Sequence, residues 1–191
     1  MTKAVIIFGS PRENSNTELL VNQAINGLHD SNVSTEIFYL NEMDIKGCQA
    51  CYYCKKNNTK ECAVKDDMQK IYSSINEADG IIVASPIYFA GITSQTKMWL
   101  DRLFPYIDMN VGSLLPKGKK ASFIFTQNQP NPDLFKDNIK SFEFMLQLIG
   151  FELKEDLIAY NLDKGYKPMV SENKDFLKKA YDLGLNLINQ N

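Results

Sequence analysis

Residues 4–17 read AVIIFGSPRENSNT. The first five residues form a continuous apolar run, rich in β-branched side chains. Such a run reads as a strand buried on both faces. The next stretch, GSPRENSNT at residues 9–17, carries hydroxyls, amides and one arginine but almost no bulk. It leads into residues 17–28, where Val21, Ala24, Ile25 and Leu28 share one helical stripe. A strand covered on both faces that passes at once into a helix is one unit of a wound α/β sheet.

The rest of the chain repeats that unit. Residues 33–40 (VSTEIFYL), 80–85 (GIIVAS) and 120–126 (KASFIFT) read as further strands, and residues 151–160 include a fifth. Between them, Asp66-Asp67 reads as the cap of a helix carrying Met68, Ile71, Tyr72 and Ile75. Residues 92–104 fit a helix with Ile92, Trp99 and Leu103 near one face, and residues 132–149 contain another. A closing helix over 174–188 places Leu177, Ala180, Tyr181, Gly184 and Ile188 on one stripe. Right-handed crossovers make this a five-stranded, doubly wound parallel sheet in a three-layer α/β/α sandwich. The expectation is a single domain over 1–191, with a cysteine-containing excursion at 41–66. Ligands of such folds lie outside the carboxyl ends of the strands, where strand order reverses. The segments of interest are therefore 9–17, 85–91, 126–131 and the excursion.

Composition narrows the function. Apolar residues make up 44% and charged residues 23%, with a net charge of −2. No basic field exists to hold nucleic acid or an anionic membrane. No apolar run reaches the roughly 18–20 residues of a membrane span. No basic, apolar, small-residue leader pattern opens the sequence, so a cytoplasmic location is expected. The lone histidine, His29, falls near a helix end away from every strand-end loop. Neither a Ser–His–Asp triad nor a histidine acid–base pair can be assembled.

The crossing at residues 9–17 has the chemistry of an anion cradle. A helix N-terminus offers unpaired N–H groups and partial positive charge. Ser10, Ser15, Asn16 and Thr17 add neutral donors, and Arg12 adds a charged fork. Neither G-x-x-x-x-G-K-[ST] nor G-x-G-x-x-G occurs there, which argues against a P-loop ATPase and a nicotinamide-binding Rossmann unit. A well-capped helix with a polar turn is the simpler alternative. The second loop, SPIYFAG at 85–91, offers an apolar wall with exposed amides that suits a flat heteroaromatic ring, or else a plain turn with core aromatics. Residues 97–103 (KMWLDRL) follow.

G-S-P-R-x-x-S-N-T, then S-P-I-Y, then K-x-x-x-D-R resembles the NADPH-dependent FMN reductase family of flavodoxin-like proteins, well over about the first 105 residues and by pattern beyond. The resemblance implies FMN at the strand ends. Ser10, Arg12, Ser15, Asn16 and Thr17 would hold its phosphate, and Pro86, Ile87, Tyr88 and Phe89 would lie along its ring and ribityl chain. Thr126, Gln127 and Asn128 would form the third loop, where relatives often carry glycine. It further implies NAD(P)H as donor, a quinone, flavin or other small acceptor, and a homodimer or homotetramer. Tyr52, Tyr53 and Trp99 are candidates for subunit contacts, or for core. A flavin supplies the electron chemistry itself, so no catalytic side chain is needed beyond it.

Residues 48–62 read CQACYYCKKNNTKEC, or C-x2-C-x2-C-x7-C. Clustered cysteines in a reducing compartment argue for metal or redox work. Four thiolates at such spacing suit a [4Fe–4S] cluster, and the motif resembles that of the iron–sulfur flavoproteins, which implies Cys48, Cys51, Cys54 and Cys62 as ligands. In that alternative the chain is an electron carrier between the cluster, FMN and a ferredoxin-like partner. Zinc, metal-free redox thiols, and a cofactor-free interface loop like that of related reductases with G-C-x-x-C-x-x-C and C-x-x-x-D-D-M remain open. A third function class is a flavodoxin-like domain that has lost its cofactor and acts through protein contacts.

Overall fold

The computed structural model describes residues 2–57, 59–108, 110, 112–162 and 169–188. The strands are β1 (Lys3–Phe8), β2 (Ser34–Tyr39), β3 (Gly80–Pro86), β4 (Ile107–Asp108), β5 (Gly112–Ser113), β6 (Lys120–Thr126), β7 (Glu152–Leu153) and β8 (Leu157–Ala159). The helices are α1 (Asn16–Asp30), α2 (Tyr53–Lys56), α3 (Met68–Glu77), α4 (Ser94–Asp101), α5 (Lys136–Ile149) and α6 (Lys174–Asn186). The main sheet runs β2-β1-β3-β6-β7, with β8 also pairing β6, and every pairing in it is parallel. Order reverses between β1 and β3, so the loops after those two strands meet at one rim.

Alternation along the strands divides the core in two. Val5 and Ile7 face one side with Ile81, Val83, Phe123 and Phe125, beneath α3, α4 and α5. Ala4, Ile6 and Phe8 face the other with Ile82, Ala84 and Ile124, beneath α1 and α6. Each fully buried Ile or Val contributes about 1.5–3 kcal/mol relative to exposure, so covering both faces is what holds the central strands in register.

Two sequence expectations change. The fifth strand is two short pieces, β7 and β8, because Lys154, Glu155 and Asp156 form an exposed charged run between them. The helix expected over 92–104 is only α4, capped by the Thr93 hydroxyl and followed by a 3-10 turn at Phe104–Tyr106. Pro105 has no N–H to continue a helix. The helix within 132–149 begins at Lys136. Trp99 is 1% exposed and belongs to the core, whereas Tyr52 and Tyr53 are exposed.

Helices α1 and α6 touch backbone to backbone. A Cβ on Gly184 would lie 1.9 Å from the Ala24 carbonyl oxygen, and one on Gly27 would lie 2.1 Å from that of Tyr181. Because the obstruction is main chain, it cannot swing aside. Gly184→Ala is expected to cost at least the roughly 1–3 kcal/mol of an overpacked core, read as a fall in the urea midpoint; an unchanged midpoint would show that the helices part freely.

Candidate functional site

The Ser15 side chain caps α1, accepting the Glu18 N–H at 3.2 Å, while Glu18 reaches back to the Asn14 N–H at 2.6 Å. This is a capping-box arrangement displaced by one residue. It leaves the N–H groups of Asn16 and Thr17 without intrahelical partners. Ser10 is buried beside it, its hydroxyl 3.4 Å from that of Ser15 and accepting the Arg12 N–H at 3.3 Å. The Arg12 side chain is exposed and forms no ion pair among the described residues.

Gly9 ends β1 under the start of α4. Its N–H donates to the Ala84 carbonyl at 2.8 Å, and its own carbonyl accepts the Thr93 hydroxyl at 2.7 Å. A Cβ there would fall 1.8 Å from the Thr96 hydroxyl oxygen. Glycine therefore lets the first loop and α4 approach closely.

All twelve rim residues singled out from sequence line one cavity of about 410 Å3: Ser10, Arg12, Ser15, Asn16 and Thr17 from the first loop, Pro86, Ile87, Tyr88 and Phe89 from the second, Thr126, Gln127 and Asn128 from the third. Two of these side chains also bridge to other parts of the chain. The Thr17 hydroxyl meets that of Thr126 at 2.8 Å, joining the first and third loops. Asn16 Oδ1 accepts the Val170 N–H at 2.8 Å. Because Asn16 is engaged there only through its oxygen, its Nδ2 remains for an anion along with Ser10, Ser15, Arg12 and the free N–H groups.

The second loop closes as a two-residue hairpin. The Tyr88 N–H donates to the Gly91 carbonyl at 2.8 Å and the Gly91 N–H returns to the Tyr88 carbonyl at 3.0 Å. Phe89 (φ 46°) and Ala90 (φ 65°) are both left-handed, a turn that favours Asn-Gly. The left-handed region costs roughly 1–2 kcal/mol per non-glycine residue. Asn138 Nδ2 holds the tip by donating to the Ala90 carbonyl at 2.6 Å, and the Ile87 N–H donates to the Thr126 carbonyl.

The residues fit a phosphorylated flat ring. Besides the cradle, Gln127 leaves a buried acceptor: its Nε2 donates to the Asn131 carbonyl at 2.7 Å, which fixes the amide's orientation, and its Oε1 has no partner among the described residues. Phe135 and Leu162 also line the cavity and were missed by sequence reasoning, whereas Ala90 and Gln129 line it from within the segments 85–91 and 126–131 without having been chosen individually. Gln129 and Ala90 are near neighbours of chosen residues. Leu162 lies beyond β8 and carries no local signal of its place.

The cysteine excursion is pinned by other side chains. Arg102 and Asp66, both fully buried, form a fork at 2.6 and 3.1 Å, and Arg102 also donates to the Lys46 and Val64 carbonyls. Lys55 Nζ donates to the Phe104 and Ile107 carbonyls and lies 4.2 Å over the Phe104 ring. Cys48 and Cys51 are exposed, Cys54 and Cys62 half-buried, and all four are free thiols. Burial pushes the Cys54 thiol up. Among the described residues no three of these sulfurs gather into a group that could hold a metal ion. His29 is exposed, its Nε2 3.0 Å from the Thr35 hydroxyl.

A second, larger hollow of about 750 Å3 lies between α4 and α5, lined mainly by Leu100, Phe104, Ile107, Phe142, Met145 and Ile149. Phe144 and Leu148 stand exposed beside it on α5. No helix of the described residues is long and apolar enough to cross a membrane.

The chain resembles several known proteins. An iron–sulfur flavoprotein of Methanocaldococcus jannaschii is 40% identical over 103 residues, 54% of this chain and 52% of that one. The chain thus spans about half the length of that relative. An NAD(P)H:quinone oxidoreductase from Methanothermobacter marburgensis superposes with a TM-score of 0.80 at 18% identity, covering 99% of this chain and 97% of that one. An FMN-dependent NADH-azoreductase from Bacillus anthracis, solved with FMN, gives 0.74 at 17% identity and covers 99% and 100%. These two likenesses establish the flavodoxin-like fold. The sequence profile of NADPH-dependent FMN reductases matches residues 2–127, a span from β1 through the first two rim loops to the start of the third, and by that match the chain belongs to the NADPH-dependent FMN reductase family.

Proposed function

We propose that this chain is an FMN-dependent oxidoreductase that takes electrons from NAD(P)H and delivers them to a quinone, a free flavin or another small acceptor. The observation that carries the reading is the convergence of three loops on one rim cavity, with an arginine that has no ion pair among the described residues and a hydroxyl cradle at one end and an apolar wall along the other. Bound FMN would supply the two-electron chemistry. Ser10, Ser15, Arg12 and the first N–H groups of α1 would neutralise its phosphate. Pro86, Ile87 and Tyr88 would wall the ring on one side, and Thr126, Gln127 and Asn128 on the other. The protein would thereby fix the ring's orientation and exclude water from it. The whole described chain would act as one cytoplasmic domain. The apolar groove between α4 and α5, with Phe144 and Leu148 exposed beside it, supports a homodimer or homotetramer.

The test is direct. Apoprotein titrated with FMN should bind it and turn yellow, and the loaded protein should oxidise NADPH or NADH once a quinone or flavin acceptor is added. Absence of oxidation with every such acceptor would remove the reductase reading, and absence of FMN binding would remove the flavin site itself.

A second reading, an iron–sulfur flavoprotein carrying electrons between a [4Fe–4S] cluster and FMN, is favoured by the name of the Methanocaldococcus jannaschii relative and by Cys48, Cys51, Cys54 and Cys62. It calls for the four sulfurs to come together around one cluster. Iron and sulfide quantified after anaerobic purification decide it: about four of each per chain support the cluster by the four-thiolate logic, and a merely yellow protein does not.

A further inference from the structure

We propose that Phe89 is the contact surface for the flat conjugated ring of the second ligand, the nicotinamide or quinone that exchanges electrons at this site, and that its side chain does not hold the flavin. The inference rests on the reading of the rim cavity as a flavin site. Phe89 lines the mouth of that cavity, yet its ring is fully exposed, at 109% of the reference area. It touches neither half of the core. A fold does not place a large aromatic at the tip of a left-handed turn for its own stability, since turn positions of this kind favour small or amide residues. Yet the turn is held firmly, by the two reciprocal Tyr88–Gly91 hydrogen bonds, by Asn138 Nδ2 on the Ala90 carbonyl, and by the Ile87 N–H on the Thr126 carbonyl.

Three anchors thus fix a strained backbone whose product is an aromatic ring presented to solvent at a binding mouth. Observed strain of this kind clusters at ligand clamps. A phenyl face offers what a nicotinamide or quinone ring needs, an offset stacking partner with no demand on its polar edge. Tyr88, also partly exposed, stands next to it and extends the same apolar lip.

The experiment uses the FMN-loaded, oxidised protein, in which neither NADP+ nor a quinone reacts. Equilibrium binding of each is measured by perturbation of the flavin spectrum, and FMN affinity separately by fluorescence titration of the apoprotein. Phe89→Leu is expected to weaken binding of NADP+, of the quinone, or of both by about 3- to 10-fold, the range of an aromatic pair. FMN affinity should stay within about twofold, and Phe89→Trp should restore the lost binding. Loss in one arm names the ring that Phe89 serves. Equal affinities of Phe89→Leu and wild type for both ligands would overturn the proposal. So would a fall in FMN affinity as large as the fall for the second ligand, or a change confined to the sedimentation of the loaded protein. Because Phe89 is fully exposed, its replacement leaves the core intact. A failure of wild type to bind FMN would instead strike the flavin site and is seen before any variant is made.

Discussion

Arg102→Met is expected to destabilise the protein by about 3–5 kcal/mol, the cost of removing one partner from a buried ion pair. The Arg102 and Asp66 side chains are wholly buried, with Nη1 2.6 Å from Oδ2 and Nη2 3.1 Å from Oδ1. Arg102 also satisfies the Lys46 carbonyl at 2.7 Å and the Val64 carbonyl at 3.1 Å, and Asp66 accepts the N–H groups of Lys46 and Met68. Methionine fills the volume but leaves the buried carboxylate without a counter-charge and the Lys46 carbonyl without its guanidinium donor, while the Val64 carbonyl keeps only Gln69 Nε2. Arg102→Lys keeps the charge and loses the fork, so it should fall between wild type and Arg102→Met. Chemical denaturation reads the effect, and amide exchange should show the loss concentrated in residues 41–66. A variant within about 1 kcal/mol of wild type, the range of a surface pair, would mean that the pair does not anchor the excursion.

The same pair gives an acid dependence of fixed sign. Burial pushes the Asp66 carboxyl up, but the Arg102 hydrogen bonds and the Lys46 and Met68 N–H groups outweigh it and hold the group below its usual range. A depressed folded value means that the contribution is complete above the unfolded carboxylate value of about 4 and is lost as pH falls through the lowered folded value. The stability gap between wild type and Asp66→Asn should therefore be widest near neutrality and shrink in acid. A gap independent of pH would contradict the assignment.

Arg12→Ala is expected to weaken FMN binding by about 10- to 100-fold while changing riboflavin binding little. A hydrogen bond to a charged group is worth roughly 1.5–3 kcal/mol, and riboflavin lacks the phosphate that would receive it. Arg12 suits the test because its side chain is exposed and has no ion pair among the described residues, so folding should not depend on it. Ser15→Ala is less clean: it also removes the cap of α1, worth about 1 kcal/mol. The salt dependence of FMN affinity should flatten in Arg12→Ala. Equal losses for FMN and riboflavin would place Arg12 away from the phosphate.

Much of the site was legible in the sequence because strand ends advertise themselves. An apolar run such as AVIIF stops where the sheet stops, so the polar or turn residues that follow lie at the rim. That logic singled out the segments 9–17 after β1, 85–91 at the end of β3 and 126–131 at the end of β6, and the family resemblance then implied Pro86 to Phe89 and Thr126 to Asn128 within them. The Lys-Glu-Asp run at 154–156 was also visible, and it marks where the last strand breaks in two. The reach of single side chains was not legible. The Thr17 hydroxyl turns to Thr126, 109 positions away, and Asn16 turns to Val170, 154 positions away. Nothing local announces either.

By itself, then, the sequence determined the wound sheet and which three loops share its rim, because burial on two faces imposes a period that short-range pattern records. Only the tertiary structure decided which hydroxyls stay free for an anion, that the Phe89 ring faces solvent, and that Lys55, Arg102 and Asp66 hold the cysteine loop. Those outcomes depend on distances between residues far apart in the chain, and spacing along the chain does not encode such distances.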